Sequence, residues 1–230
     1  MLPKVTILLV TYDRPIEIRK TIDALIQHIK YDGELNWHIA DDSTGGNYIE
    51  KIFRDYPKLN FTATVTKRAG WGANVNKALS SIKNDFIFLC EDDYVALKDI
   101  QLNHGVALLS GTKELGEVRY DGIAGHVGLV LELKEFHSIN YLVIDKEKSS
   151  HFNVYSNRPH LRHRRFHDLL GMYPEGISLG ETETSYAGRV KNAIGYADVA
   201  ILSNGVERAF EHIGKTRQGT EQDVGFHSNL

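Results

Sequence analysis

The chain has 230 residues, 42% apolar and 25% charged, which excludes a disordered or fibrous protein and leaves one large domain or a tight pair. A net charge of −3 excludes nucleic-acid binding by bulk charge, so any basic surface must be local. One cysteine, Cys90, leaves no internal disulfide and fits a reducing, cytoplasmic setting.

Lys4 to Val10, KVTILLV, is a β-branched apolar run and predicts a buried strand. Thr11-Tyr12-Asp13-Arg14-Pro15 breaks it, and Pro15 suits the first turn of a helix. Ile18, Ile22, Leu25, Ile26 and Ile29 then recur at helical spacing. Trp37 to Ala40 reads as a second strand, ending in Asp41-Asp42-Ser43-Thr44-Gly45-Gly46. Tyr48, Ile49, Ile52 and Phe53 predict a helix that stops before Pro57. Phe61 to Thr66 alternates as a strand, and Gly72 to Lys83 reads as a helix. Phe86 to Cys90 is a strand that runs straight into three acids, Glu91-Asp92-Asp93.

This alternation implies a parallel sheet with helices on both faces, in which ligands sit beyond the carboxyl ends of the strands. Thr11-Tyr12-Asp13, Asp41-Asp42-Ser43 and Glu91-Asp92-Asp93 would then share one edge. Two unit charges ~4 Å apart cost about 4 kcal/mol at an effective dielectric near 20, and a hard cation that takes carboxylate and phosphate oxygens would relieve that repulsion. A solvated turn capped by Asp93 is the simpler alternative.

Beyond the acids, Leu97 to Leu109 reads as a helix, Val118 to Leu133 and Ile139 to Ile144 as strands, Glu181 to Ile194 as a helix and Tyr196 to Leu202 as a strand. Ser149 to Pro174 reads as irregular and basic. Within it, Asn157 to His167 holds four Arg and three His in eleven residues. His163 and His167 stand at i, i+4, the spacing of a zinc pair, but no further ligand accompanies them. Arg158, Arg162, Arg164 and Arg165 read either as a solvated face or as a patch for an anionic acceptor. The sixteen residues from Lys215 read as a tail or lid. No N-terminal signal is visible, and no apolar run approaches the roughly 18 residues of a membrane span. The expected organisation is one domain, with a nucleotide-binding half over 1–110, an acceptor and catalytic half over 111–214 and the tail over 215–230.

Four segments, in order, resemble the GT-A fold glycosyltransferases, particularly the inverting family 2 enzymes: VTILLVTYDRP, HIADDST, GWGANVNKAL and FIFLCEDD. The resemblance implies a Rossmann-like α/β fold and transfer of a sugar from a nucleotide-sugar, with a UDP-sugar the expected donor, to an acceptor hydroxyl. It implies nucleotide contacts at Thr11, Tyr12, Asp13, Arg14, Asp42, Gly70, Asn76 and Asp92, with Asp42 on the nucleobase and Asp92 on the ribose. It implies Mn2+ or Mg2+ held by Asp93, with Glu91 as an auxiliary acid. Ala78 stands where the family's third segment usually has Gly.

The late segment SLGETETSYAGRVKNAIGY resembles the family's base-bearing helix start, with Thr182 where an Asp is expected. Glu181 or Glu183 is then the base, and Glu181 is favoured because it opens the helix. His212 is placed to complete the metal site, and Lys215 and Arg217 to neutralise diphosphate. The acceptor is a glycan, a phosphopolymer, a nucleic acid or a lipid phosphate. A nucleotidyltransferase or an inactive GT-A-like binding module are the other classes. The loop Thr11 to Arg14 lacks the glycines expected of the first, and the retained acids argue against the second.

Overall fold

Seven consecutive buried residues, Val5–Thr11, form β1 in the interior of a nine-stranded sheet. Continuous burial without alternation is what a parallel strand covered on both faces requires. The computed structural model describes residues 2–43, 48–120, 128–150, 153–202 and 208–214. After β1, helix α1 (Glu17–His28) buries Ile18, Ile22 and Leu25 against the sheet. Ile26 falls off that stripe and is exposed, and Ile29 already belongs to the short strand β2 (Ile29–Lys30).

The next elements follow the predicted order: β3 (Leu35–Asp41), α2 (Tyr48–Asp55), β4 (Phe61–Val65), α3 (Trp71–Ser81) and β5 (Phe86–Glu91). β1 lies between β3 and β5, parallel to both, and β4 lies parallel beyond β3. The register sets Thr11 beside Asp41 and Val10 beside Glu91. The three polar clusters therefore do share one edge, at the carboxyl ends of the strands.

Two short strands follow, β6 (Tyr94–Ala96) and β7 (Ile100–Gln101), then α4 (Leu102–Gly111). The predicted helix over 97–109 thus begins five residues late, because Ile100–Gln101 pairs with β2 instead. The predicted strand over 118–133 is two strands, β8 (Leu115–Arg119) and β9 (Leu131–Phe136), followed by β10 (Ile139–Ile144).

The basic stretch is not irregular. It contains β11 (His160–His163) and α5 (Arg165–Leu170). β11 inserts antiparallel between β5 and β8, in the middle of the sheet. The chain continues through α6 (Leu179–Asn192), β12 (Asp198–Ile201) and β13 (Phe210–His212). Only β11 and β10 run against β1, so the sheet is mostly parallel. One core lies between the sheet and α1, α2 and α4, around Ile7, Leu9, Phe88 and Cys90. The other lies between the sheet and α3, α5 and α6, around Leu8, Ile87, Leu89, Phe166 and Tyr186.

Burial inside the sheet decides what the basic cluster does. Arg162 and His160 are fully buried. Arg164 donates to the carbonyls of Ile82 at 2.5 Å and Asn84 at 3.1 Å. One amino group of Arg165 donates to the carbonyls of Leu109, Thr112 and Leu115. Three of the four arginines expected to form an anion patch are therefore scaffold. His163 stacks edge-on against Phe86 while His167 is buried, so no zinc pair forms between them. Arg165→Ala should lower stability by about 2–3 kcal/mol, because it strands three carbonyl acceptors, and thermal denaturation reads the loss directly.

Candidate active site

The loop after β1 turns back on itself through Asp13, whose positive φ of 54° is one that Asp tolerates. That turn aims Arg14 at the end of β5. Its guanidinium lies 3.3 Å from Asp92 Oδ1 and also bonds Asp93 Oδ2 directly. Asp92 Oδ2 accepts from Thr11 Oγ1 at 2.7 Å and from the Tyr12 N–H at 3.4 Å. Burial pushes the Asp92 carboxyl up to about 6, with Thr11 and Arg14 holding it from rising further.

Asp93 points elsewhere. β13 pairs with β6 so that His212 lies opposite Tyr94, and this sets His212 Nε2 3.2 Å from Asp93 Oδ2. Burial raises Asp93, but the bond from His212 and the Arg14 charge outweigh it, leaving this acid below its usual value. The same bond to Asp93 raises His212. A Cβ on Gly214 would sit 2.2 Å from Asp93 Oδ2, so a side chain there would crowd this carboxylate.

Glu91 follows Leu89 and Ile87 on the α3 and α6 face of the strand. Burial pushes its carboxyl up to about 8, and the charges of Asp93, Asp92 and Glu183 add to the rise. Three acids in sequence thus face three environments, which lessens the expected crowding. Among the described residues, no three His, Cys, Asp or Glu side chains are arranged around a common metal position. Of the expected trio of Asp93, Glu91 and His212, only Asp93 and His212 are in direct contact, because β5 ends at Glu91 and Asp93 lies in the turn that follows.

The other expected contacts divide between cleft and scaffold. Asp42 is 8% exposed, and its carboxylate accepts from Thr66 Oγ1 at 2.8 Å and from the N–H groups of Ala69 at 2.7 Å and Gly70 at 2.9 Å. That fills three of about four acceptor positions on a carboxylate and holds a strained loop, since Lys67 and Arg68 both carry positive φ. Arg68 lies 5.8 Å from the centre of the Tyr12 ring, so the two loops meet. Gly70 has φ 91° at the start of α3. Asn76 is a scaffold residue: its amide exchanges hydrogen bonds with the backbone of Tyr173 and donates to Glu175 Oε1 at 2.7 Å. Gly72, which sequence reasoning passed over, allows this contact, because a Cβ there would lie 2.1 Å from the carbonyl oxygen of Pro174.

Glu181 and Glu183 also separate. Glu181 is exposed and completes a capping box with Ser178, accepting at 2.9 Å from its N–H and at 2.7 Å from its Oγ. Those bonds lower its pKa. Glu183 is half-buried, accepts the Asn157 N–H at 2.8 Å, and is close enough to contribute to the electrostatics of both Glu91 and Tyr94. Two residues on a helix point about 200° apart, so only one of this pair faces the cleft. Arg158 lies near enough to act on Tyr94 and His212. Lys215 and Arg217 lie outside the described residues. A hollow of about 370 Å³ opens at the opposite ends of the strands, between Asn36, His38, Thr62 and Asn84; no carboxylate lines it.

This arrangement has known relatives. The glycosyl transferase family 2 model matches residues 6–124, which span Thr11 to Asp93 but not Glu183 or His212. Among solved structures, S. aureus TarS 1-349 superposes with a TM-score of 0.61 at 14% identity, over 89% of this chain and 59% of that one. The same protein in complex with UDP-GlcNAc superposes at 0.59 with 17% identity, over 91% of this chain and 60% of that one. The mannosyltransferase PcManGT from Pyrobaculum calidifontis, in complex with GDP-Man and Mn2+, superposes at 0.55 with 14% identity, over 80% and 51%. The chain therefore spans about three-fifths or less of the length of these structures. No curated protein matches the sequence. The nine-stranded, mostly parallel α/β sheet is that of the GT-A glycosyltransferases, and the family model covers more than half of the residues. The chain belongs to glycosyl transferase family 2.

Proposed function

We propose that this protein is an inverting, metal-assisted glycosyltransferase that moves a sugar from a nucleotide-sugar, with UDP as the favoured nucleotide, to an acceptor hydroxyl. The observation that carries this reading is the convergence of Arg14, Asp92, Asp93, His212 and Glu183 on one sheet edge from four separate segments. The relatives complexed with UDP-GlcNAc and with GDP-Man and Mn2+ support a donor of that chemical class.

The residues fit a divalent cation. Asp93 Oδ1 is buried without a hydrogen-bond partner, and His212 Nε2 faces the other oxygen of the same carboxylate. One carboxylate and one imidazole leave room for the diphosphate oxygens and water that Mg2+ and Mn2+ sites retain. When bound, the cation supplies charge stabilisation to the departing diphosphate.

The chain's own residues supply the rest. Arg14, held between Asp92 and Asp93, adds positive charge beside the diphosphate. Thr11 and Tyr12 fix Asp92 to receive the ribose. Glu183 accepts the proton of the acceptor hydroxyl as its oxygen bonds to the anomeric carbon, and the bond from that carbon to the diphosphate breaks on the far side. Asp42 shapes the base pocket through the loop it holds. Lys215 and Arg217 follow His212 closely enough in sequence to reach the diphosphate. The acceptor is a hydroxyl compound, and Arg162, Arg164 and Arg165, committed to the scaffold, do not contact it.

A thermal-shift series with UDP, GDP, UDP-GlcNAc and GDP-mannose, each with and without Mn2+, tests the reading. One nucleotide should stabilise the protein, and more strongly with metal. No shift with any of the four, with or without metal, would contradict it.

A further inference from the structure

Asn157 meets Glu183 through its backbone and a buried tyrosine through its side chain. Its N–H donates to Glu183 Oε1 at 2.8 Å, while its Oδ1 accepts from Tyr155 Oη at 2.8 Å. Tyr155 Oη meets Tyr173 Oη, and Arg162 Nη1 donates to Tyr173 Oη at 2.6 Å. All of these side chains are buried: Tyr155 is 1% exposed, Tyr173 3%, Asn157 6% and Arg162 0%.

With Tyr155 donating to Asn157 Oδ1, the other protons in this chain follow. A guanidinium donates and never accepts. Tyr173 must therefore accept from Arg162, which leaves its own proton for the Tyr155 oxygen. Tyr155 in turn has only Asn157 to receive its proton, so the amide presents Oδ1 and not its NH2 group. The result runs one way, from a buried cation to the residue whose N–H holds Glu183. Its parts come from three places: the interior of β11, the loop that Asn76 ties to α3, and the segment leading into β11. A buried charge is often no more stabilising than an apolar residue of the same volume. Fold stability alone is therefore a weak reason for Arg162 to be here.

We infer that Arg162, Tyr173, Tyr155 and Asn157 form a one-way hydrogen-bond chain that positions Glu183 for proton acceptance. The inference rests on Glu183 being the base. These four are positioning residues that do not touch substrate. By fixing one oxygen of Glu183, the chain fixes the direction in which the other is offered. Oriented carboxylates matter because displacements of about 1 Å can cost ~100-fold in rate.

The test is turnover of the preferred nucleotide-sugar, followed as released nucleoside diphosphate, in Tyr155→Phe, Glu183→Gln and the double variant. Tyr155→Phe removes one oxygen and keeps the ring. It should lower kcat by about 10-fold or more and leave donor KM within about 2-fold. In the Glu183→Gln background the same change should cost nothing further, because the group it positions is gone. A general structural role predicts the opposite, the same loss in both backgrounds. Tyr173→Phe breaks the chain one link earlier and should repeat the pattern, which guards against a folding defect particular to one site. Unchanged kcat in both tyrosine variants, or additive losses in the double variant, would overturn the inference while leaving the base assignment intact. Full turnover in Glu183→Gln alone would remove the base assignment and the inference with it.

Discussion

Asp93→Ala should abolish the extra stability that Mn2+ confers on the UDP complex. The residue is 4% exposed, bonded by Arg14 and His212, and retains one side-chain oxygen without a hydrogen-bond partner. A ligand at about 100 times its Kd stabilises the native state by about 2.7 kcal/mol. For a domain of this length that is a rise of about 5–10 °C in Tm. In wild type, UDP with Mn2+ should reach this range and UDP alone should fall well short. Asp93→Ala should bring the two conditions together. The apo variant should stay folded, because the change removes acid repulsion along with the Arg14 contact. Equal shifts with and without metal in wild type would remove Asp93 from any metal role.

Glu183→Gln should reduce turnover by roughly 100-fold or more while UDP affinity stays within about 2-fold. Gln keeps the shape and the bond from the Asn157 N–H and loses the ability to accept a proton. Glu181→Gln should behave differently. Glu181 is tied into the capping box with Ser178, which an amide oxygen can largely maintain, so the change should cost little stability and little turnover. Measuring kcat and Tm for both variants separates the roles. A large kcat loss in Glu181→Gln and none in Glu183→Gln would reverse the assignment.

The first half of this molecule was legible because its strands carry no conflict. In β1 and β5 the buried residues are apolar or β-branched, β3 adds one buried histidine, His38, and all three end in polar clusters, so run length and breaks were enough. β11 was illegible for the converse reason. A central strand that buries His160 and Arg162 carries no apolar period, and the partners that make this tolerable, Tyr173 and Tyr155, lie at other positions in the chain. The same blindness made Arg164 and Arg165 look like an open patch, when backbone carbonyls from distant turns take up their Nη2 groups. Asn76 looked like a nucleotide contact and is a brace for the Tyr173 loop.

The choice between Glu181 and Glu183 had a usable signal that the family resemblance hid. Ser178-Leu179-Gly180-Glu181 is the spacing of a capping box, which commits Glu181 to the helix end and leaves Glu183 as the residue proposed for the base. The separation of Glu91 from Asp93 was not available from strand alternation, which sets residues two apart on one face; it comes from the turn that ends β5 after Glu91. His212, expected at the metal site from the resemblance, is set beside Asp93 by the pairing of β13 with β6, a contact between segments more than one hundred residues apart in the sequence.

The most direct test of the central claim is proton NMR of an α-linked UDP-sugar incubated with the protein and Mn2+, with Glu183→Gln as the control. The account predicts release of UDP with a first-formed product of β configuration, and about 100-fold slower release in the variant. A first-formed product of α configuration, or release at the same rate in Glu183→Gln, would contradict it.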